Sequence, residues 1–150
     1  WGPGRIPAGT ECDELMGTID VLPTIAALTG NALPSGRKID GMDMSGLLGD
    51  DASAAATRDE YLYYTSQGKI EGIRQGDWKL LVKHKRLPRN RPKTAKAAPP
   101  PEILLFDLTA DIGEKNNLAA SNAEVVKPLR ASMMELDAEI AANARAPWTK

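Results

Sequence analysis

The stretch Lys69-Ile70-Glu71-Gly72-Ile73-Arg74-Gln75-Gly76-Asp77-Trp78-Lys79-Leu80-Leu81-Val82-Lys83 decides the fold. Two β-favouring runs, Lys69–Arg74 and Trp78–Lys83, flank Gln75-Gly76-Asp77, a three-residue connection that contains a glycine. That arrangement predicts a β-hairpin. Upstream, Tyr61–Thr65 is a third β-favouring run. Downstream, Ile103–Leu108 reads as a fourth. Between them, residues 86–101 carry Pro88, Pro92, Pro99, Pro100 and Pro101 among basic and small residues. No hydrophobic period survives there, so the segment is expected to be an exposed loop.

A helix is expected over roughly 122–144. Ser121 and Glu124 have capping-box spacing. Val125, Val126, Leu129, Met133, Leu136 and Ile140 make its apolar stripe. Pro128 interrupts that stripe, at a cost of about 3 kcal/mol if it is fully interior. The helix is therefore expected to begin near Lys127 or to bend. An earlier helix follows Asp20, with Asp20 as its cap, Pro23 in the first turn and Gly30 at its end. Val21, Leu22, Ile25, Ala26 and Leu28 fall on one face. Residues 1–19 are rich in breakers, and 31–59 look irregular, with one turn of helix at Ser45–Leu48.

The fold class is thus α+β: an antiparallel sheet of three to four strands packed against a C-terminal amphipathic helix. The helix and loops before it have no partner in that scheme and are expected to pack on a missing α/β body. The chain accordingly divides at residue 59, into 1–59 and 60–150.

Composition bounds the function classes. The 150 residues are 42% hydrophobic and 26% charged, ordinary values for a globular domain. Net charge is −1, which argues neither for nor against a polyanionic partner for the chain as a whole. No apolar run approaches the roughly 18 residues of a membrane span. With one cysteine, Cys12, no internal disulfide can form. The amino terminus, Trp1-Gly2-Pro3-Gly4-Arg5, reads as neither a signal peptide nor a start, so a truncated segment is expected.

Five stretches, in order, resemble the carboxy-terminal third of arylsulfatase-type sulfatases. Trp1-Gly2-Pro3-Gly4-Arg5-Ile6-Pro7-Ala8-Gly9 is similar to the family's W-P-G-x-I-x-A-G, with Gly2 as an extra residue. Asp20-Val21-Leu22-Pro23-Thr24 resembles its D-x-x-P-T helix, and Asp40-Gly41-Met42-Asp43-Met44-Ser45-Gly46-Leu47-Leu48 its D-G-x-D-x-S-x-L-L segment. Arg74-Gln75-Gly76-Asp77-Trp78-Lys79 resembles the R-x-G-x-W-K hairpin. Leu105-Phe106-Asp107-Leu108 through Gly113-Glu114-Lys115-Asn116-Asn117-Leu118 resembles L-Y-D-L…D-P-x-E-x-x-N-L, with Ile112-Gly113 where the family has proline and a variable residue.

The resemblance implies a parent enzyme that hydrolyses sulfate esters, periplasmic or secreted. Its substrate would be a sulfated small molecule or carbohydrate. It would use calcium and a formylglycine made from the Cys or Ser of C/S-x-P-x-R, supplied by a missing N-terminal sulfatase domain. No catalytic residue and no metal ligand is expected within this chain. Cys12 is followed by Glu14 and Met16 where that motif needs Pro and Arg. Asp50-Asp51 follows Leu47-Leu48-Gly49 and suits a solvated loop. Asp107–Asp111 begins like a calcium loop, but Leu118 stands where the terminal Glu belongs.

The candidate substrate-binding residues are Ser66, Gln67, Lys69 and His84. Loops at strand ends are where scaffolds place recognition groups. Ser66 and Gln67 can hydrogen-bond hydroxyls, and Lys69 can hold an anionic group. His84 is the only histidine, so it has no triad partner here and could contact substrate only in the parent. The plain alternative is a polar turn. A different class of function is a stand-alone polyanion-binding module that uses the basic 79–96 segment. Nucleic acid is disfavoured, since no aromatics interleave those charges. A related phosphatase or phosphonate hydrolase is a third reading. The uncovered stripe of Val21, Leu22, Ile25 and Leu28 predicts self-association of the fragment.

Overall fold

A computed structural model describes residues 2, 4, 6–49, 58–84 and 99–144. The expected 86–101 loop therefore lies almost wholly outside the described residues, as do Asp50-Asp51. The chain forms two compact units, Trp1–Asp59 and Glu60–Lys150.

In the first unit, the helix α1 runs Val21–Thr29 after a 3₁₀ turn at Thr18–Asp20. Gly30 ends it, as expected from the sequence. Its buried side differs from the apolar stripe, which was expected to lack a partner in this chain. Pro23, Thr24 and Ala26 are the buried residues. Val21, Leu22 and Ile25 are 54%, 49% and 53% exposed. Asp20 differs too, because its side chain makes no cap hydrogen bond to α1. It is instead the buried centre of the unit. Asp20 Oδ2 accepts the Gly17 amide at 2.8 Å, and Oδ1 accepts the Met42 amide at 2.8 Å and a hydrogen bond from the Arg58 guanidinium. Thr24 Oγ1 accepts the Met44 amide at 3.0 Å. These bonds hold residues 42–44 against α1. Gly41 passes so close that a Cβ there would stand 2.0 Å from the Ile19 carbonyl oxygen. Only glycine fits that approach. Ser45–Leu48 forms the expected single helical turn, of 3₁₀ type.

The second unit is a four-stranded antiparallel sheet in the order β1-β2-β3-β4. The strands are β1 Glu60–Tyr64, β2 Ile70–Gln75, β3 Trp78–Lys83 and β4 Glu102–Asp107. Gln75 pairs with Trp78, so the hairpin turn is two residues, Gly76-Asp77, one fewer than the sequence suggested. Gly76 has φ 55°, the left-handed region that glycine enters freely. Leu62, Ile73, Leu80 and Leu105 are cross-strand partners in one row across all four strands. The helix α2, Ala123–Ala142, lays Leu129 and Met133 on that face. Ile73, Leu80 and Leu105 are fully buried in the resulting core.

One sequence expectation for α2 fails. The capping box does not form: Asn122 is the N-cap, and its amide donates to Leu118 O at 3.0 Å and Ser121 Oγ at 3.0 Å. The helix, Ala123–Ala142, matches the expected span of roughly 122–144 and runs through Pro128 without beginning near Lys127. Pro128 is exposed, so its missing N–H interrupts only the outer side of the ladder, while the apolar stripe on both sides of it is held by the sheet.

The free edge of β4 is closed by the loop that follows it. Asn117 Oδ1 accepts the Leu105 amide at 3.0 Å, and its Nδ2 donates to Ile103 O at 3.2 Å. Leu118 N donates to Leu105 O at 2.8 Å. An edge satisfied in this way is not available for strand pairing. Asn117→Ala is expected to leave the Leu105 amide without its acceptor and to cost about 1–3 kcal/mol, read from the midpoint of urea denaturation.

Candidate functional site

Up-and-down connectivity sorts the loops of the sheet to two ends. One end carries the Gly76-Asp77 turn and the loop after β4, joined by a hydrogen bond from Leu108 N to Asp77 O of 2.8 Å. In that loop the carboxylates serve the backbone. Asp107 Oδ1 accepts the Thr109 and Ala110 amides, and Asp111 Oδ2 accepts the Lys115 and Asn116 amides. The Asn116 amide foremost, then that of Lys115, holds the Asp111 carboxyl below its usual range. Oxygens engaged by amide donors do not form a calcium loop. Glu114 pairs with Lys79 at 2.6 Å, and Lys79 Nζ also lies 4.7 Å from the centre of the Tyr63 ring.

The opposite end carries the β1–β2 turn and the exit of β3, so it gathers Ser66, Gln67, Lys69 and His84 to one end of the sheet. All four are exposed. Their turn is organised by Thr65, a residue not singled out from the sequence. Thr65 N donates to Lys69 O at 2.8 Å, and Gly68 N donates to Thr65 O at 2.9 Å. Thr65 Oγ1 accepts the amides of Gln67 at 3.3 Å and Lys69 at 3.2 Å. A threonine two residues before a Gln-Gly pair is the signal for such a turn. The turn's backbone is thus largely satisfied from within, and its side chains point to solvent. The exposed Lys83 ends β3 beside His84.

Cys12 is exposed, and its neighbours do not make the formylglycine motif. Among the described residues no group of three or more His, Cys, Asp or Glu side chains is placed to hold a metal. No described helix is long and apolar enough to cross a membrane. Of the basic 79–96 segment, Lys79 is occupied by Glu114 and Tyr63, and the cations from Lys85 onward lie outside the described residues.

Solved sulfatase structures superpose on this chain. The PsFucS1 sulfatase from Pseudoalteromonas sp. superposes with a TM-score of 0.72 at 22% identity, over 96% of this chain and 30% of that one. A protein solved in complex with its substrate D-glucosamine-2-N,6-O-disulfate superposes with a TM-score of 0.55 over 83% of this chain. No protein-family model matches. Sequence similarity specifies the relationship further. Bovine arylsulfatase A (Bos taurus) is 32% identical over 148 residues, which is 90% of this chain and 28% of that protein. Canine arylsulfatase G (Canis lupus familiaris) is 26% identical over 99% of this chain. Mouse steryl-sulfatase (Mus musculus) is 31% identical over 77% of it. The chain is related to the arylsulfatase-type sulfatases, and it spans less than a third of the length of these relatives. This relationship favours a sulfatase-related chain over a stand-alone polyanion-binding module.

Proposed function

We propose that this chain is the carboxy-terminal part of a sulfatase that hydrolyses sulfate esters, with the catalytic groups in a domain preceding it. The observation that carries this reading is the match of 90% of the chain to only 28% of bovine arylsulfatase A. In the parent, calcium and a formylglycine would supply the sulfate-binding charge and the nucleophile. The described residues of this chain do not fit either group. Their role is to complete the fold and to rim the substrate pocket. The first unit would form the tail of the large domain, and the second a C-terminal subdomain.

On this reading the substrate is a sulfated small molecule or carbohydrate. Ser66 and Gln67 would hydrogen-bond its hydroxyls, Lys69 would hold a further anionic group, and His84 would contact it from the exit of β3. The exposure of all four at one end of the sheet supports this assignment. The α1 stripe of Val21, Leu22 and Ile25 would meet the preceding domain, and without it would promote self-association of the isolated chain.

Two experiments test the reading. The isolated chain incubated with an aryl sulfate is expected to give only the uncatalysed rate, and turnover that co-purifies with it would overturn the proposal. In the full-length enzyme, replacing Gln67 and Lys69 by Ala is expected to change the ratio of kcat/KM between sulfated substrates by more than about twofold, near 0.4 kcal/mol. Ratios that all stay within that limit would make Thr65–Lys69 an ordinary turn.

A further inference from the structure

A groove with a cavity volume of about 670 Å³ runs beside the first half of α2 and the start of β4. Ile103 of β4 and Val126 and Met134 of α2 line it with Ala119, Ala123 and Ala131. The remaining chemistry comes from Lys127 and Arg130. They are three residues apart, so they share one face of the helix. Both are exposed, and neither has an acidic partner among the described residues.

The groove is open to solvent, with Ala123, Ala131 and Met134 exposed, and like small-ligand sites it is lined mainly by apolar groups with a few polar ones to fix orientation. Two other occupants fit poorly. A second copy of the same face would bring Lys127 and Arg130 against their own counterparts, a like-charge contact. An extended peptide would need the edge of β4, and Asn117 and Leu118 already occupy it. An apolar lining that includes two cations complements an aliphatic chain that ends in an anion.

We propose that this groove binds a single-chain anionic amphiphile, its aliphatic chain on Ile103, Val126 and the alanines and its charged head between Lys127 and Arg130. The site is separate from the proposed sulfatase role and does not depend on it. The test is calorimetric titration of the whole chain with dodecanoate below its micelle concentration. Dodecyl maltoside is the uncharged comparison, and vesicles of phosphatidylcholine with phosphatidylglycerol are the membrane comparison.

Saturable binding of dodecanoate is expected, at least tenfold tighter than that of the maltoside. K127Q/R130Q should remove that preference. Ala131→Trp and Ala123→Leu, each checked for retained helix by circular dichroism, should weaken binding at least tenfold by filling the groove. Ile25→Glu on the exposed face of α1 should leave binding unchanged. The proposal is overturned by absence of saturable binding, by equal affinity for the maltoside, or by binding that survives both groove-filling variants. Loss of binding in Ile25→Glu, or binding of vesicles alone, overturns it as well.

Discussion

Asp20→Ala is expected to destabilise the first unit by roughly 3–5 kcal/mol, the cost of removing one partner from a buried ion pair. Asp20 is 1% exposed, and its carboxylate accepts from the Arg58 side chain and from the amides of Gly17 and Met42. Removing it takes the carboxylate acceptor from the Gly17 and Met42 amides and from the Arg58 guanidinium, which also donates to Asp40 O at 3.3 Å. The readout is amide hydrogen exchange at Met42, which should lose protection by on the order of a hundredfold or more. Unchanged protection would mean that Asp20 holds nothing together. Asp20→Asn tests the charge separately from the shape, and a smaller loss is expected from it.

The same carboxylate gives the unit an acid limit. Burial pushes the Asp20 carboxyl up, but the hydrogen bond from Arg58, the amides of Met42 and Gly17, and the Arg58 charge together hold it below its ordinary value of 3.8. A group whose folded value is depressed stabilises the fold above its unfolded value, and that contribution is lost as pH falls through the folded value. Protection at Met42 should therefore hold at neutral pH and decline below about pH 4. In Asp20→Asn that decline should be reduced.

Leu80→Ala is expected to cost about 2–5 kcal/mol and to unfold a large fraction of the second unit at ambient temperature. Leu80 is fully buried at the centre of the row that joins Leu62, Ile73 and Leu105. The surrounding strands are fixed by their ladders, so the space left by the side chain cannot collapse. Far-ultraviolet circular dichroism during urea denaturation measures the change. A cost below about 1 kcal/mol would show that the row is not the core.

The second unit was more legible in the sequence than the first. Strands and α2 announce themselves through alternation and the 3.6-residue stripe, because each lays one face on the same core. The hairpin Arg74–Trp78 and the stripe Leu129–Met133 were readable for that reason. Asp20 was not. A carboxylate before a helix looks like a cap, and its bonds to Met42 and Arg58 cross 22 and 38 residues of chain, a distance no local pattern spans. Asn117 escaped as an edge clasp for the same reason. Pro128 misled because the penalty is local, whereas what holds the helix through it is the sheet. The candidate residues Ser66, Gln67, Lys69 and His84 were found by position in loops. The topology places them at one end of the sheet, but only Thr65 explains the shape of their turn.

That turn is a self-contained buckle. Its fastening runs between Thr65, Gly68 and the backbone of Lys69, and none of it uses the side chains at positions 66, 67 or 69. Those three positions can therefore change without altering the path of the chain. A scaffold that separates shape from identity in this way can be retuned one side chain at a time. Randomising 66, 67 and 69 while keeping Thr65 and Gly68 would give a library in which nearly every member folds, so that differences in recognition appear without differences in stability.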